Sequence, residues 1–414
     1  MGVLEIVIGV LVGLFVLMFL VTAHEFGHFI MARRAGIEVQ EFGIGMPPRG
    51  IAWQKKDGKW VKLTKKQREG LKGGGLIFSL NWLPIGGFCK MKDESDSATA
   101  EGSFGRASFL GKTGMIFGGV VANFLVAVAI FTILAWVGMP HFLEGQFSVK
   151  GDTHVDVSRE ENQIWVTNVI EGSPAAEAGM LEGDRVLCIG VGEECEYIVE
   201  PTEISQFTWR HFGEMVRVGF KRGGMDSDFQ YVDVRLPEDG SGGYVLGIGT
   251  TQEKAPLYRS TWSAPVVGVG TAVQLTGETF VGIGRMVGDF VSGAFRQVSF
   301  DAEVREEGRE AIGRAGEGLA GPVGIIGTIF PQFLSSGVIN LLFLAALISV
   351  SLACMNLLPI PALDGGRWTL IAVYKLLGKK LTQETEEKIV SRAFMALMGL
   401  IVVITALDIS RFFK

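Results

Sequence analysis

The chain has 414 residues, of which 48% are hydrophobic and 20% charged, with a formal net charge of −6. That length leaves room for two or three domains at roughly 150 residues each, and the apolar fraction points to several membrane spans beside a water-soluble part. The near balance of charge, with no basic block interleaved with aromatics, excludes nucleic acid as an expected partner.

The first long apolar segment runs from about Val3 to Ala32, enough for a span at roughly 20 residues. It lacks a basic n-region and an A-x-A-like cleavage site, so a retained helix is expected rather than a signal peptide. It flows without a break into His24-Glu25-Phe26-Gly27-His28. On a helix these two histidines project from nearly the same face, one turn apart, as two ligands of one metal must. Glu25 beside them is placed to take a proton from a metal-bound water.

Between Arg33 and Lys92 basic residues outnumber acids, which argues for the cytoplasmic side. Within this segment Trp53 to Lys62 reads as short strands around an Asp57-Gly58 turn. An apolar stretch resumes at Leu76 and is broken at Pro84-Ile85-Gly86-Gly87-Phe88. A small sheet dipping into the membrane edge fits, because irregular backbone at depth needs protein or a wet cavity beside it. Met115–Val137 is the second apolar segment.

The acidic stretch from His141 to about Glu253 reads as one compact domain on the outer side. Ile164–Ile170 has strand character, Ser173 or a neighbour caps a short helix ending at Gly179, and Gly183-Asp184 turns into a strand over Arg185–Gly190. This order and its S-P-A-x-x-A-G-M-x-x-G-D-x-V spacing resemble a PDZ domain. That likeness makes Tyr244, Leu246, Gly247 and Ile248 the candidates for accepting a peptide carboxyl terminus by β-addition. Cys89, Cys188, Cys195 and Cys354 show no C-x-x-C pair and read as packing residues without a disulfide framework.

From Thr261 to Phe300 the chain is rich in Gly and Val with helical apolar spacing, and an amphipathic helix along the outer membrane surface is expected. Asp301–Gly318 reads as a mobile linker before Gly321-Pro322-Val323-Gly324. Val338–Leu358 is the third span, and Ala393–Leu407, extended by its flanks, the fourth. With Lys379 and Lys380 in a cytoplasmic loop, four spans leave both termini outside.

A catalytic zinc keeps three protein ligands and one open position, and nothing close to His28 offers the third. Asp364, in Asn356-Leu357-Leu358-Pro359-Ile360-Pro361-Ala362-Leu363-Asp364-Gly365-Gly366, is the better candidate. A carboxylate at the end of an apolar segment is costly unless paired or metal-bound. The two prolines break the helix there, and the two glycines are expected to free the backbone so that the carboxylate turns inward.

These motifs together resemble the site-2 protease family of intramembrane zinc metalloproteases, close to the bacterial regulators of sigma-E-type signalling that carry extracytoplasmic PDZ domains. The likeness covers essentially the whole chain. It implies that His24, His28 and Asp364 bind one Zn2+ ion, that Glu25 is the general base and that Asn356 helps to hold substrate or oxyanion. Gly118–Phe124 stands where relatives often show G-P-x-x-N; Val120 replaces the proline here, so only Asn123 is carried over, as a substrate-binding candidate.

The expected fold is a polytopic α-helical membrane protein with about four transmembrane helices, a membrane-associated β-rich segment and one extracytoplasmic PDZ-like α+β domain. Its divisions are 1–35 (first helix with HExxH), 36–112 (β-rich segment), 113–138 (second helix) and 141–253 (PDZ-like domain). There follow 254–337 (surface region and linker), 338–375 (third helix with Asp-Gly-Gly) and 376–414 (loop and fourth helix). The expected function is cleavage in or beside the transmembrane helix of single-span proteins in the bacterial inner membrane. Release of an anti-sigma factor is one such role and removal of signal-peptide remnants another. The site would face the cytoplasm and the PDZ-like domain the outside. The competing reading is an inactive PDZ-bearing scaffold with a structural metal; an intact Glu25 and an open fourth position speak against it.

Overall fold

The computed structural model describes residues 3–64, 75–143, 145–156, 164–192, 194–198, 200–222, 228–238, 245–252, 257–297, 301–317 and 324–412. Contacts divide the chain into two units, Met1–Leu134 with Pro265–Lys414, and Ala135–Ala264. The first unit opens with α1 (Val3–Arg34), β1 (Val39–Lys56), β2 (Lys59–Lys62), β3 (Ile77–Met91) and α2 (Phe109–Val137). The second continues through β4 (Met139–Pro140), β5 (His154–Asp156), β6 (Ile164–Val169), α3 (Pro174–Glu177), β7 (Arg185–Val191) and β8 (Glu196–Tyr197). It is completed by α4 (Pro201–Thr208), β9 (Met215–Lys221), β10 (Phe229–Arg235), β11 (Ile248–Gln252) and β12 (Leu257–Arg259). The chain then returns to the first unit with α5 (Ala264–Arg296), α6 (Ala302–Glu317) and a π-helical turn, Ile325–Ile329, that runs into α7 (Phe330–Ser335). Three helices close it: α8 (Val338–Leu357), α9 (Asp364–Leu376) and α10 (Gln383–Phe412).

Among the described residues four helices are long and apolar enough to cross a membrane: Leu4–Arg34, Phe109–Val137, Ala264–Arg296 and Val338–Leu357. Three of these coincide with expected spans, and Ala393–Leu407 was expected as a fourth. The third of the four, α5, is the helix expected along the membrane surface over Thr261–Phe300, and by length and composition it is also a candidate span. Its 33 residues make one unbroken helix, about 50 Å long at 1.5 Å per residue. Gly277, Gly282, Gly284 and Gly288 sit within it facing open space, so they interrupt neither its hydrogen bonds nor its path. The expected last span, Ala393–Leu407, falls inside α10; the side chains of residues 403 and 406–414 lie outside those described.

Asp301–Gly318 is not a linker over its described part. Ala302–Glu317 forms α6, and its charges are those of a solvated helical face, with Arg309 pairing to Glu306 at 2.9 Å and Arg296 of α5 to Glu307 at 2.9 Å. Gly308 lies against Gly293, which lets the two backbones approach. Of the expected Gly321–Gly324 segment, residues 321–323 lie outside the described set, and Gly324 caps the π-helical turn.

In the first unit β2, β1 and β3 form a sheet in that order. The β1–β2 hairpin turns at Asp57 (φ 47°) and Gly58 (φ 78°), the two positive angles that a tight two-residue turn demands. Both long strands double back, so that Phe42 stands opposite Cys89 on one side and Phe78 on the other. The Pro84–Phe88 break is thus a bend inside β3, where Gly86 takes φ 70°. An ion pair on the buried Glu41 pins the doubled sheet: the half-buried Arg49 donates to both Glu41 oxygens, at 2.8 and 2.5 Å, and Ser79 to Oε1 at 2.8 Å. Phe29, Phe42, Cys89, Met91, Phe104, Met115 and Ile371 share one buried cluster, which joins the sheet to α1, α2 and α9. At roughly 1.5–3 kcal/mol per fully buried large apolar side chain, such a cluster fixes their relative positions.

In the second unit the main sheet runs β10-β9-β7-β6-β11, with β8 paired to β7. The Ser173 side chain accepts the Ala176 N–H and opens α3, while Gly179 follows with φ 84°. Ile164, Val166, Ala175, Val186, Ile189, Val216, Val218 and Leu246 fill its core. Cys188 and Cys195 form a disulfide, against the expectation of four packing cysteines. The hairpin of β7 and β8 places Cys188 opposite Tyr197 and so returns the chain toward its start, a closure that the linear spacing did not suggest. Cys89 and Cys354 are buried free thiols.

Candidate metal centre

Two distant pieces of chain meet at one point. In α1, His24 and His28 lie one turn apart, and their Nε2 atoms are 3.1 Å from each other. At the start of α9, Asp364 Oδ2 stands 3.1 Å from His24 Nε2 and 3.3 Å from His28 Nε2. Among the described residues these are the three that could jointly hold a metal ion, and both imidazoles are buried.

The donor set fits zinc. Two ligands on a tetrahedral ion, each at about 2.0–2.1 Å, stand about 3.3 Å apart, close to all three separations seen here. Asp364 Oδ2 is buried with no hydrogen-bond partner, although two imidazole nitrogens face it. That arrangement is poor as a hydrogen-bonded cluster and suits a shared cation. The remaining ring nitrogens point the same way. His28 Nδ1 lies 2.8 Å from the Met115 main-chain oxygen, so it carries the proton and leaves Nε2 with its lone pair inward. Asn123, buried on α2, has its side-chain nitrogen 3.4 Å from His24 Nδ1, while its own Oδ1 lacks a partner. Exchanging amide oxygen and nitrogen resolves both, because the oxygen then accepts Nδ1–H and leaves His24 Nε2 free to bind. Ser349 of α8 donates to the Asn123 main-chain oxygen at 2.8 Å and ties α8 to this point.

Backbone close approaches build the geometry. An added Cβ at Gly27 would lie 2.1 Å from Gly118 O, and one at Gly119 would lie 2.5 Å from His24 Cε1 and 2.6 Å from His28 Nε2. Gly365 and Gly366 behave likewise: a Cβ would fall 2.3 Å from Leu357 O and 1.9 Å from Ile360 O. These two glycines let the first turn of α9 press onto the Pro-broken loop. Their part here is to make room rather than to loosen the backbone.

Glu25 is half-buried beside the histidines, and the backbone N–H of Cys89 in β3 faces its carboxylate. The sheet therefore reaches the acid itself. Asn356, on the last turn of α8, donates to Leu352 O at 3.0 Å and is not drawn into the three-ligand cluster. A cavity of about 430 Å³ opens beside Asp364, lined by Glu94, Pro361, Arg367, Glu386 and Glu387 among others. In the second unit Leu246 is buried in the core and Ile248 begins β11; Tyr244 lies outside the described residues. Sequence reasoning missed Gly119, the Met115 carbonyl, Ser349 and Arg367. Only the Gly118-Gly119 pair ahead of Asn123 offered a signal, as small residues that let helices touch.

Known proteins resemble this chain over nearly its full length. A protein of Agrobacterium fabrum, provisionally named a zinc metalloprotease, is 26% identical over 413 residues, covering 95% of this chain and 94% of its own. One of Clostridium perfringens with the same provisional name is 28% identical over 391 residues, covering 94% and 95%. Zinc metalloprotease RasP of Shouchella clausii is 24% identical over 462 residues, covering 95% and 97%. A sequence model of Peptidase family M50 matches residues 12–401, and by that match the chain belongs to the M50, or site-2 protease, family of intramembrane zinc metalloproteases.

Proposed function

We propose that this protease cuts peptide bonds in or beside the transmembrane helix of single-span membrane proteins, with His24, His28 and Asp364 holding zinc and Glu25 as general base. The observation that carries this reading is the meeting of two Nε2 atoms and one Asp364 oxygen at 3.1–3.3 Å, next to an acid on the same helix turn. Zinc bound there would lower the pKa of a water toward about 7 and polarise a peptide carbonyl. Glu25 takes the proton of the attacking water and returns it to the departing amide nitrogen. The Cys89 N–H fixes the direction of that carboxylate. Asn356 spends one amide N–H on Leu352 O and keeps a second for the carbonyl oxygen as charge develops on it. Asn123 orients His24 rather than meeting substrate.

A substrate helix hides its carbonyls in its own hydrogen bonds and must unwind before attack. Gly86 and Gly87 of β3 lie against Val21 and Thr22 of α1, one turn from Glu25. An unwound stretch added along this part of β3 would present its carbonyls to the site.

The protein is multi-pass, and its membrane is the bacterial cytoplasmic membrane in this reading. Arg33 and Arg34 at the end of α1 support a metal centre that faces the cytoplasm. The Cys188–Cys195 disulfide suits an outer, oxidising compartment for the second unit. That unit is a PDZ-like filter whose edge strand β11, beside α4, takes peptide carboxyl termini at Gly247 and Ile248. Release of an anti-sigma factor and clearance of signal-peptide remnants are reactions of this class.

The test is Glu25→Gln in the full chain in detergent, assayed on a tagged single-span substrate. Zinc should stay at one per chain while cleavage falls at least ~10²-fold, the lower end of general-base effects. Undiminished cleavage would remove Glu25 from the mechanism.

A further inference from the structure

Asp364 is the ligand that comes from outside α1, so its direction depends on how the first turn of α9 is held. Gly365 and Gly366 fix how closely that turn sits on Leu357 and Ile360. They do not fix its rotation. One residue in the same turn reaches three other parts of the unit. Arg367 donates through Nη2 to the main-chain oxygen of Glu94, approaches the Glu94 carboxylate at 4.0 Å and meets Glu386 Oε1 through Nε at 3.4 Å. Its guanidinium also lies 4.6 Å from the centroid of the fully buried Phe104 ring.

Glu386 is the far end of this link. It is 6% exposed, in the first turn of α10, and its other oxygen accepts the Asp96 N–H at 3.1 Å and the Ser95 hydroxyl at 3.4 Å. Asp96 in turn accepts Lys112 of α2 at 2.6 Å. One guanidinium thus spans α9, α10 and the segment that follows β3, and it does so three residues from the metal ligand. Side chains three apart on a helix share a face, so turning Asp364 away from the histidines would pull Arg367 out of all three contacts. A planar fork with donors in fixed directions resists such rotation, whereas a single ammonium on a flexible stem does not.

We propose that Arg367, anchored by Glu386, is a positioning residue for Asp364 that keeps its carboxylate on the zinc. This rests on the reading of Asp364 as a ligand. The first consequence is on metal retention, with activity following from it. The second is that the opening turn of α10 is coupled to the metal centre through Glu386.

The experiment uses the full chain, zinc-loaded in detergent, and follows zinc release to an excess chelator together with the visible spectrum of the cobalt-substituted form. Arg367→Ala should release zinc at least ~10-fold faster, as expected when a group supporting a ligand is removed. Its cobalt bands should shift. Arg367→Lys should fall between Arg367→Ala and the parent. Because Arg367→Ala leaves the buried Glu386 carboxylate without its counter-charge, its folding is separated by the double variant Arg367→Ala with Glu386→Ala. Thermal stability should recover in that pair while fast zinc release persists. Parental release and parental cobalt bands in a folded Arg367→Ala protein would overturn the proposal, as would full recovery of zinc retention in the double variant. Asp364→Ala in the same assay separates the two readings. If it keeps zinc as the parent does, the ligand assignment has failed; if it loses zinc and Arg367→Ala does not, only the positioning role has failed.

Discussion

His28 Nδ1 lies 2.8 Å from the main-chain oxygen of Met115, so α2, which supplies none of the three candidate ligands, sets the tautomer of one. The contact exists because α1 and α2 cross with glycines at the seam. A main-chain acceptor cannot be mutated away, but the spacing that delivers it can be. Gly119→Ala puts a methyl 2.5 Å from His24 Cε1 and 2.6 Å from His28 Nε2. Zinc content measured on the purified chain should fall well below one per chain, with helical content by circular dichroism preserved. Full zinc occupancy in Gly119→Ala would mean that the histidines do not use this seam.

Asn123 offers a milder change at the same ligand pair. Asn123→Ala removes the acceptor for His24 Nδ1–H and should weaken zinc binding by about 10–100-fold. Asn123→Asp keeps an acceptor and should retain zinc better than Asn123→Ala in a competitive chelator titration. Equal affinities for the two variants would return Asn123 to the substrate side of the site.

Acid should loosen the sheet before it melts the helices. Burial raises the Glu41 carboxyl, but hydrogen bonds from Arg49 and Ser79, with the Arg49 charge, outweigh it and leave the group below its ordinary 4.5. A depressed carboxyl adds stability that is complete above the unfolded value and is lost as pH falls through the folded one. Amide protection in β1 and β3 should therefore drop below about pH 4.5, in an acid-dependent step that Glu41→Gln abolishes. Unchanged protection down to pH 3 would show that the ion pair does not pin the strands.

The disulfide makes a prediction confined to the second unit. Closing a loop of about eight residues stabilises by about 2.5 kcal/mol on the chain-entropy estimate. Cys188→Ser with Cys195→Ser should lower the unfolding free energy of this unit by about that amount. The zinc content of the first unit should not respond. A thiol reagent should modify positions 188 and 195 of the intact protein only after reduction, and ready labelling beforehand would contradict an oxidised pair in the cell.

Much of the site was legible because its chemistry is concentrated in short motifs. His24, Glu25 and His28 declare themselves by helical spacing, and Asp364 by the cost of a carboxylate at the end of an apolar run. The supporting groups were not legible, for a physical reason in each case. The Met115 carbonyl is main chain and leaves no trace in residue type. Arg367 and Glu386 are ordinary surface charges until folding buries one against the other. In the fold, α5 was legible as a helix but not as a candidate span, because its glycines and charges dilute the apolar run that 33 unbroken residues still carry. The Cys188–Cys195 bridge was missed because a hairpin, not a short spacing motif, brings its ends together.

The Gly27–Gly118 contact has a further consequence, for traffic. A Cβ at Gly27 would already meet Gly118 O at 2.1 Å, so these two backbones touch with no side chain between them. A helix is about 10–12 Å across with its side chains, and none can slip between α1 and α2 without prising this seam open. Opening it would carry the Met115 carbonyl away from His28 and spoil the centre that the visitor came to reach. A helical substrate of the proposed kind must therefore arrive by another route than the gap between α1 and α2, and a joint of bare backbone keeps that door shut.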